Sequence, residues 1–123
     1  MIDILLDTFP YSGTTTTCNA LFNSIPVVTL YNKDYHCHNV SSSILKNAGL
    51  DELVSPSSDE YINMVKHLVN NPKYIDQYKE TISYKFIKLM NTNLFMYDYE
   101  NVLKELYEMN RKNNTDYVIE IVI

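Results

Sequence analysis

The tightest constraint on this chain's fold lies between residues 2 and 25. Ile2, Ile4, Leu5 and Leu6 make an apolar run of strand length that ends in Asp7. Pro10, Ser12 and Gly13 mark a turn, and four threonines, Thr14 to Thr17, lead into a helical pattern. Cys18, Leu21, Phe22 and Ile25 recur at helical spacing and predict one apolar face, with Thr15, Thr16, Asn19 and Asn23 opposite. A strand, a tight glycine turn and a hydroxyl-rich helix start together form a phosphate cradle. The first N–H groups of a helix lack internal partners, and the helix dipole favours negative charge beside them. Gly13 makes the turn, the hydroxyls of Thr14, Thr15 and Thr16 can bond phosphate oxygens, and Asn19, a turn further on, can bond ribose. The ligand this implies is a nucleotide or sugar-nucleotide diphosphate. The residues alone also allow a plainer reading, with Thr14 as an N-cap and the other threonines as solvated first-turn residues.

The rest of the chain alternates in the same way. Helix one is predicted over about 15–24, and Pro26 stops it. Residues 27–31 are a β-branched run, and both apolar runs lack alternation, as strands of a parallel sheet covered on both faces do. A loop over 32–38 follows. Val40, Ile44, Leu45 and Ala48 pattern a second helix with Gly49 as its stop, and a short strand is predicted over 52–54. Ser57 and Glu60 read as a capping box opening a helix with Ile62, Val65, Leu68 and Val69 on one face. Pro72 suits a first helical position, and Tyr74, Ile75, Tyr78, Ile82 and Phe86 pattern the helix after it. A turn near 91–93 precedes a last amphipathic helix carrying Tyr99, Val102, Leu103 and Leu106. Residues 117–123 form a bare β-type run that could be an added edge strand, an oligomer contact or a frayed end. The order βαβαβ followed by helices predicts an α/β, Rossmann-like half domain. Ligands bind such sheets at the carboxyl ends of the strands, so the loops over 7–17 and 32–39 should share one edge and one ligand.

Composition narrows the partners. The chain has 123 residues, 46% hydrophobic and 20% charged, with a formal net charge of −5. That is one globular domain, and its acidity argues against nucleic acid, whose binders cluster Lys and Arg. Cys18 and Cys37 make no disulfide framework, and Cys18 reads as a small core residue. Residues 1–6 lack the basic start of a signal peptide, and no apolar run reaches the length of a membrane span. A reducing setting, cytoplasmic or nucleocytoplasmic, and no membrane partner are expected.

Three segments taken in order resemble glycosyltransferase family 41, which contains O-GlcNAc transferase and SPINDLY. They are Leu6-Asp7-Thr8-Phe9-Pro10-Tyr11-Ser12-Gly13-Thr14-Thr15-Thr16-Thr17-Cys18, then Pro26-Val27-Val28-Thr29, then His36-Cys37-His38-Asn39-Val40. The His-x-His-Asn-Val segment and the run of threonines look closer to SPINDLY and bacterial relatives than to the animal enzyme. Residues 57–61 and the helices behind also follow the pattern, so the likeness covers roughly residues 2–110. It implies a GT-B fold of two Rossmann-like halves, with this chain as the C-terminal half: a parallel sheet flanked by helices, with further C-terminal helices. Residues 1–112 are then the nucleotide-sugar-binding half, and 113–123 a tail.

The resemblance also assigns roles. Residues matching Thr14, Thr15 and Thr16 contact the donor diphosphate, and animal enzymes carry His where Thr14 stands. The residue matching Asn19 is usually acidic and holds the ribose; Asn19 keeps hydrogen bonding without charge. The loop with His38 and Asn39 shapes the donor pocket. The donor is a UDP-sugar or GDP-sugar, UDP-GlcNAc or GDP-fucose, with no further cofactor, and the acceptor is Ser or Thr of a protein. The family's donor-activating Lys, its proposed base and its repeats lie upstream of what matches Ile2. The chain by itself is therefore expected to supply only stabilisation of the leaving diphosphate, acting with a separate N-terminal half. The alternative is a non-catalytic remnant or interaction module that keeps the fold. Removal of a partner half should leave an apolar patch near the strand carboxyl ends, hence self-association. No catalytic residue is assigned. His36, Cys37 and His38 lack the second ligand cluster a metal site needs. Asp7 reads as a turn cap, His67 as a surface residue, and Tyr74, Tyr78, Tyr99 and Tyr107 as packing positions.

Overall fold

The structure, a computed structural model, describes residues 2–111. The expected 113–123 tail lies outside the described residues. Of the described residues, 2–90 form one compact unit and 91–111 belong to a second.

The first unit is built on a three-stranded parallel sheet in the order β1 (Leu5–Leu6), β2 (Val27–Leu30), β3 (Val54–Ser55). Leu5 pairs with Val27 and Leu6 with Val28; Thr29 pairs with Val54 and Leu30 with Ser55. Helix α1 (Thr15–Phe22) connects β1 to β2, and α2 (Val40–Asn47) lies on the path from β2 to β3. Two longer helices follow, α3 (Ser58–Asn70) and α4 (Pro72–Leu89). Helix α1 packs on α4, while α2 and α3 pack on β2 and β3. The core gathers Leu21, Val27, Val28, Leu45, Leu50, Leu53, Leu68, Ile75, Ile82 and Phe86. Burying each of these side chains is worth about 1.5–3 kcal/mol, which makes this cluster the main stabiliser of the unit.

The predicted stops and starts hold where local chemistry writes them. Gly49 takes φ +67 after α2, the Leu50 amide bonds the Leu45 carbonyl at 2.9 Å, and the Gly49 amide bonds that of Lys46 at 3.0 Å. That pair of bonds is a Schellman closure, which needs a left-handed residue that glycine adopts without strain. Ser57 Oγ accepts from the Glu60 amide at 3.2 Å and opens α3. Pro72 opens α4.

Several expectations are corrected. The first strand shrinks from 2–6 to Leu5–Leu6, and Ile2 lies exposed. The strand predicted over 52–54 is a 3₁₀ turn, Asp51–Leu53, with the pairing residues shifted to Val54 and Ser55. Helix α1 ends at Phe22, and that side chain is 62% exposed; the buried positions are Thr17, Ala20 and Leu21. The helix is turned by about one position because Thr17, polar by type, has a buried hydrogen-bond partner. Ile62 and Val69 of α3 are also exposed, and Tyr61, Met64 and Val65 pack against the core beside Leu68. Tyr74 is exposed against His67, itself exposed as expected, with ring centroids 4.9 Å apart. Tyr78 packs on the core as expected.

The second unit contains α5 (Thr92–Arg111). Asn91 Oδ1 accepts from the Leu94 amide at 3.2 Å, so the predicted turn contracts to a cap. Tyr99 and Tyr107 are exposed rather than packing positions, and Tyr99 stacks on Phe95 one turn away.

Candidate functional site

The loop between β1 and α1 is organised by Asp7. Its amide continues the β1–β2 ladder onto the Val28 carbonyl, which fixes where the side chain leaves the sheet. One carboxylate oxygen accepts from the Gly13 amide at 2.8 Å and the other from Thr29 Oγ1 at 2.7 Å. Its carbonyl accepts from the Tyr61 hydroxyl at 3.0 Å. Asp7 is therefore the turn cap the sequence predicts. Its carboxylate points back into the protein, buried, with hydrogen-bond donors on both oxygens. Burial, followed by the charge of Asp7, pushes the Tyr61 phenol up and keeps that hydroxyl a donor.

Gly13 is required by crowding. A Cβ there would stand 2.7 Å from Thr17 Oγ1 and 3.1 Å from Asp7 Oδ1, so any side chain would force apart the groups that hold the turn. Beyond it, Thr14 occupies the N-cap position of α1, yet no side chain caps the helix. Thr14, Thr15, Thr16 and Asn19 all lie exposed. The plainer reading of Thr14 as a side-chain N-cap does not hold. Thr15 and Thr16 are solvated first-turn residues as that reading expects, Thr17 is buried, and the start of α1 carries no side-chain cap.

The second loop reaches the same edge. The Ser12 amide donates to the Cys37 carbonyl at 3.0 Å, and the Ser41 hydroxyl donates to the Gly13 carbonyl at 2.8 Å. The two loops after β1 and β2 are thus joined, as the sheet topology predicts. His38 is half-buried in a 3₁₀ turn, His36–His38, with its ring edge-on to Tyr35 at 5.1 Å between centroids. Asn39 has a structural task. Its Oδ1 accepts from the Asn32 amide at 2.9 Å, while its Nδ2 donates to the carbonyls of Asn32 and Tyr35. The side chain closes the 32–39 loop on itself and spends its polar atoms there. Cys18 packs against the core, and burial pushes its thiol up, away from the reactive thiolate.

Of the sequence-predicted residues, the structure gathers Gly13, Thr14, Thr15, Thr16 and Asn19 on one loop and helix, and stitches to them the loop bearing His38 and Asn39. Sequence reasoning passes over Ser41 and Thr29 and counts Ser12 and Thr17 only as turn and helix-start markers. All four are buried. Their one sequence signal is a small hydroxyl residue near a strand or helix end, which is too common to single out. Phe9, Tyr11 and Tyr35 stand exposed on these loops, where the sequence reading expects an apolar patch. Among the described residues no group of three His, Cys, Asp or Glu side chains gathers as a metal site, and no helix is long and apolar enough to cross a membrane.

Comparison with known proteins places this geometry. Residues 1–105 match the family described as glycosyl transferase family 41. A probable UDP-N-acetylglucosamine–peptide N-acetylglucosaminyltransferase SPINDLY of Hordeum vulgare is 39% identical over 88 residues, covering 72% of this chain and 9% of that protein. Its Solanum lycopersicum counterpart is 46% identical over 71 residues, covering 58% of this chain and 8% of that protein. The chain thus spans under a tenth of the length of these curated relatives. A mutant of Thermobaculum terrenum O-GlcNAc transferase superposes with a TM-score of 0.77 at 33% identity, covering 86% of this chain and 21% of that one. The fold is the expected Rossmann-like C-terminal half of a GT-B architecture, a parallel sheet flanked by helices.

Proposed function

The chain belongs to glycosyltransferase family 41, and from that membership we propose that it binds the nucleotide-sugar donor in the transfer of a sugar to Ser or Thr of proteins. Residues 1–112 form the donor-binding half, and the loops after β1 and β2 are its site. The donor is UDP-GlcNAc or GDP-fucose; the names of the SPINDLY relatives favour the first, and the likeness of the His-x-His-Asn-Val segment keeps the second in play. The observation that carries this reading is the uncapped start of α1, with Thr14, Thr15 and Thr16 exposed beside a glycine that admits no side chain.

The roles follow from position. Gly13 keeps the turn tight enough for backbone N–H groups to meet the diphosphate. Thr14, Thr15 and Thr16 add hydroxyl donors, and the helix dipole opposes the charge that builds on the leaving diphosphate. Asn19, one turn on and exposed, bonds the ribose hydroxyls. His38 lines the nucleoside side, and Asn39 holds the loop that carries it. The protein acceptor and the catalytic base belong to the other half of the site. Self-association through the exposed aromatic residues of these loops is the further partner this reading favours.

Calorimetric titration with UDP and with GDP tests it. Binding of one supports the site and names the donor class. Replacing Thr15 and Thr16 together with alanine should then weaken that binding while leaving thermal stability within about 0.5 kcal/mol, because both side chains are exposed. Failure of both nucleotides to bind would overturn the reading in favour of a remnant that keeps only the fold.

A further inference from the structure

Helix α2 is capped by a residue that lies far from it in sequence. Asn39 fills its N-cap position, but that side chain is turned toward Asn32 and Tyr35. The cap comes instead from Ser12. Ser12 Oγ accepts from the Val40 amide at 3.1 Å and the Ser41 amide at 3.4 Å, and its own hydrogen goes to the Cys37 carbonyl at 3.1 Å. A hydroxyl has one hydrogen and two lone pairs, so Ser12 is fully used. It is 2% exposed, so water cannot substitute at little cost.

A second link runs beside the first. Ser41 spends its hydrogen on the Gly13 carbonyl at 2.8 Å. The 2.7 Å contact between Thr17 Oγ1 and Ser41 Oγ must then have Thr17 as donor. The relay runs from α1 through α2 to the turn before α1, with its Thr17–Ser41 step buried and its step to Gly13 part-buried.

We propose that Ser12 and Ser41 are positioning residues that lock the two loops into one preorganised cradle. A nucleoside diphosphate bridging both then meets a surface already in place. The inference rests on the donor-site reading given above. Neither serine touches the ligand; each acts through the loop it holds. A ligand that spans both loops gains from the lock, because it need not order either loop on binding. Pyrophosphate, which needs only the start of α1, gains little.

The test is Ser12→Ala, read two ways. Affinity for UDP or GDP should fall about tenfold, the scale of one lost cap, while affinity for inorganic pyrophosphate changes less than twofold. Independently of any ligand, amide hydrogen exchange at Asn32, His38 and Asn39, none of which Ser12 touches, should quicken about tenfold, while amides inside α3 and α4 keep their rates. Should Ser12→Ala not fold, Ser41→Ala cuts the other link and, because Ser41 bonds Gly13 and Thr17 at the phosphate end, is read by the exchange at those three amides alone. Unchanged exchange at those three amides, or equal loss of both ligands, would overturn the lock. If the unaltered protein binds neither nucleotide, the donor-site reading falls, and the exchange measurement still decides the lock.

Discussion

Two regions of the first unit share one apolar core and differ in what else they bury. Every buried polar side chain among the described residues, from Asp7 and Ser12 through Thr17, Thr29, Ser41 and Ser42 to Ser55, lies in the sheet, its loops and the two helices between the strands, and of these Ser42 Oγ has no hydrogen-bond partner. The α3–α4 layer buries Leu68, Ile75, Ile82 and Phe86 and no polar side chain. Apolar burial is non-directional and tolerates small shifts, whereas a buried hydrogen bond fixes a position and is expensive to leave unmade. The α3–α4 layer therefore adds stability through apolar burial alone, while the sheet region joins its own apolar core to buried polar bonds. The polar region supplies geometry, and it sits where the candidate site needs loops set to a fraction of an ångström.

The sharpest way to break that comparison is to cut each region separately. Phe86→Ala, at a site 3% exposed, should cost about 4 kcal/mol by transfer and cavity terms. Chemical denaturation would read that loss, and the nucleotide affinity of the folded fraction should stay as it was. A matching fall in affinity would show that the helical layer also sets the loops. Asp7→Ala should cost less, about 3 kcal/mol, because it strands the Gly13 amide and the Thr29 hydroxyl. Here the folded fraction should lose nucleotide affinity more than tenfold, since the turn before α1 loses its anchor. Retained affinity in Asp7→Ala would remove the division of labour.

The contrast also explains what the sequence made legible. Apolar spacing located α3 and α4, and the caps at Gly49, Ser57 and Pro72 wrote their own positions, because each acts within a few residues. Spacing failed at α1, where Thr17 is buried and Phe22 is not. A period of hydrophobicity treats Thr as solvent-facing and cannot see Ser41, whose hydroxyl meets that of Thr17. The strand predicted at 52–54 moved for a related reason: β3 is set by pairing to β2, a contact across more than twenty residues of chain. The exposed candidates Thr14, Thr15 and Thr16 were visible as a motif because they are consecutive. Ser12 as the cap of α2 was not, because its partner lies 28 residues on.

The smallest expected effect is an alkaline one, and it sharpens the boundary between the two regions. Tyr78 of α4 is pushed up to about 12, first by burial and then by the charge of Glu52, which also accepts its hydrogen bond. Tyr61 is also pushed up, and its hydroxyl ties α3 to the Asp7 carbonyl. In both cases the fold favours the neutral phenol relative to the unfolded chain, whose tyrosines titrate near pH 10. The stability this confers is complete below pH 10 and is lost as pH rises through the folded-state value, which for Tyr78 lies at about 12. Stability measured across that window should decline, and Tyr78→Phe should flatten the decline because it removes the group being titrated. Tyr61→Phe should flatten it less and should also loosen Asp7, so this variant alone should shift nucleotide affinity. Equal behaviour of the two variants would mean that the Tyr61–Asp7 bond does not couple the helical layer to the site.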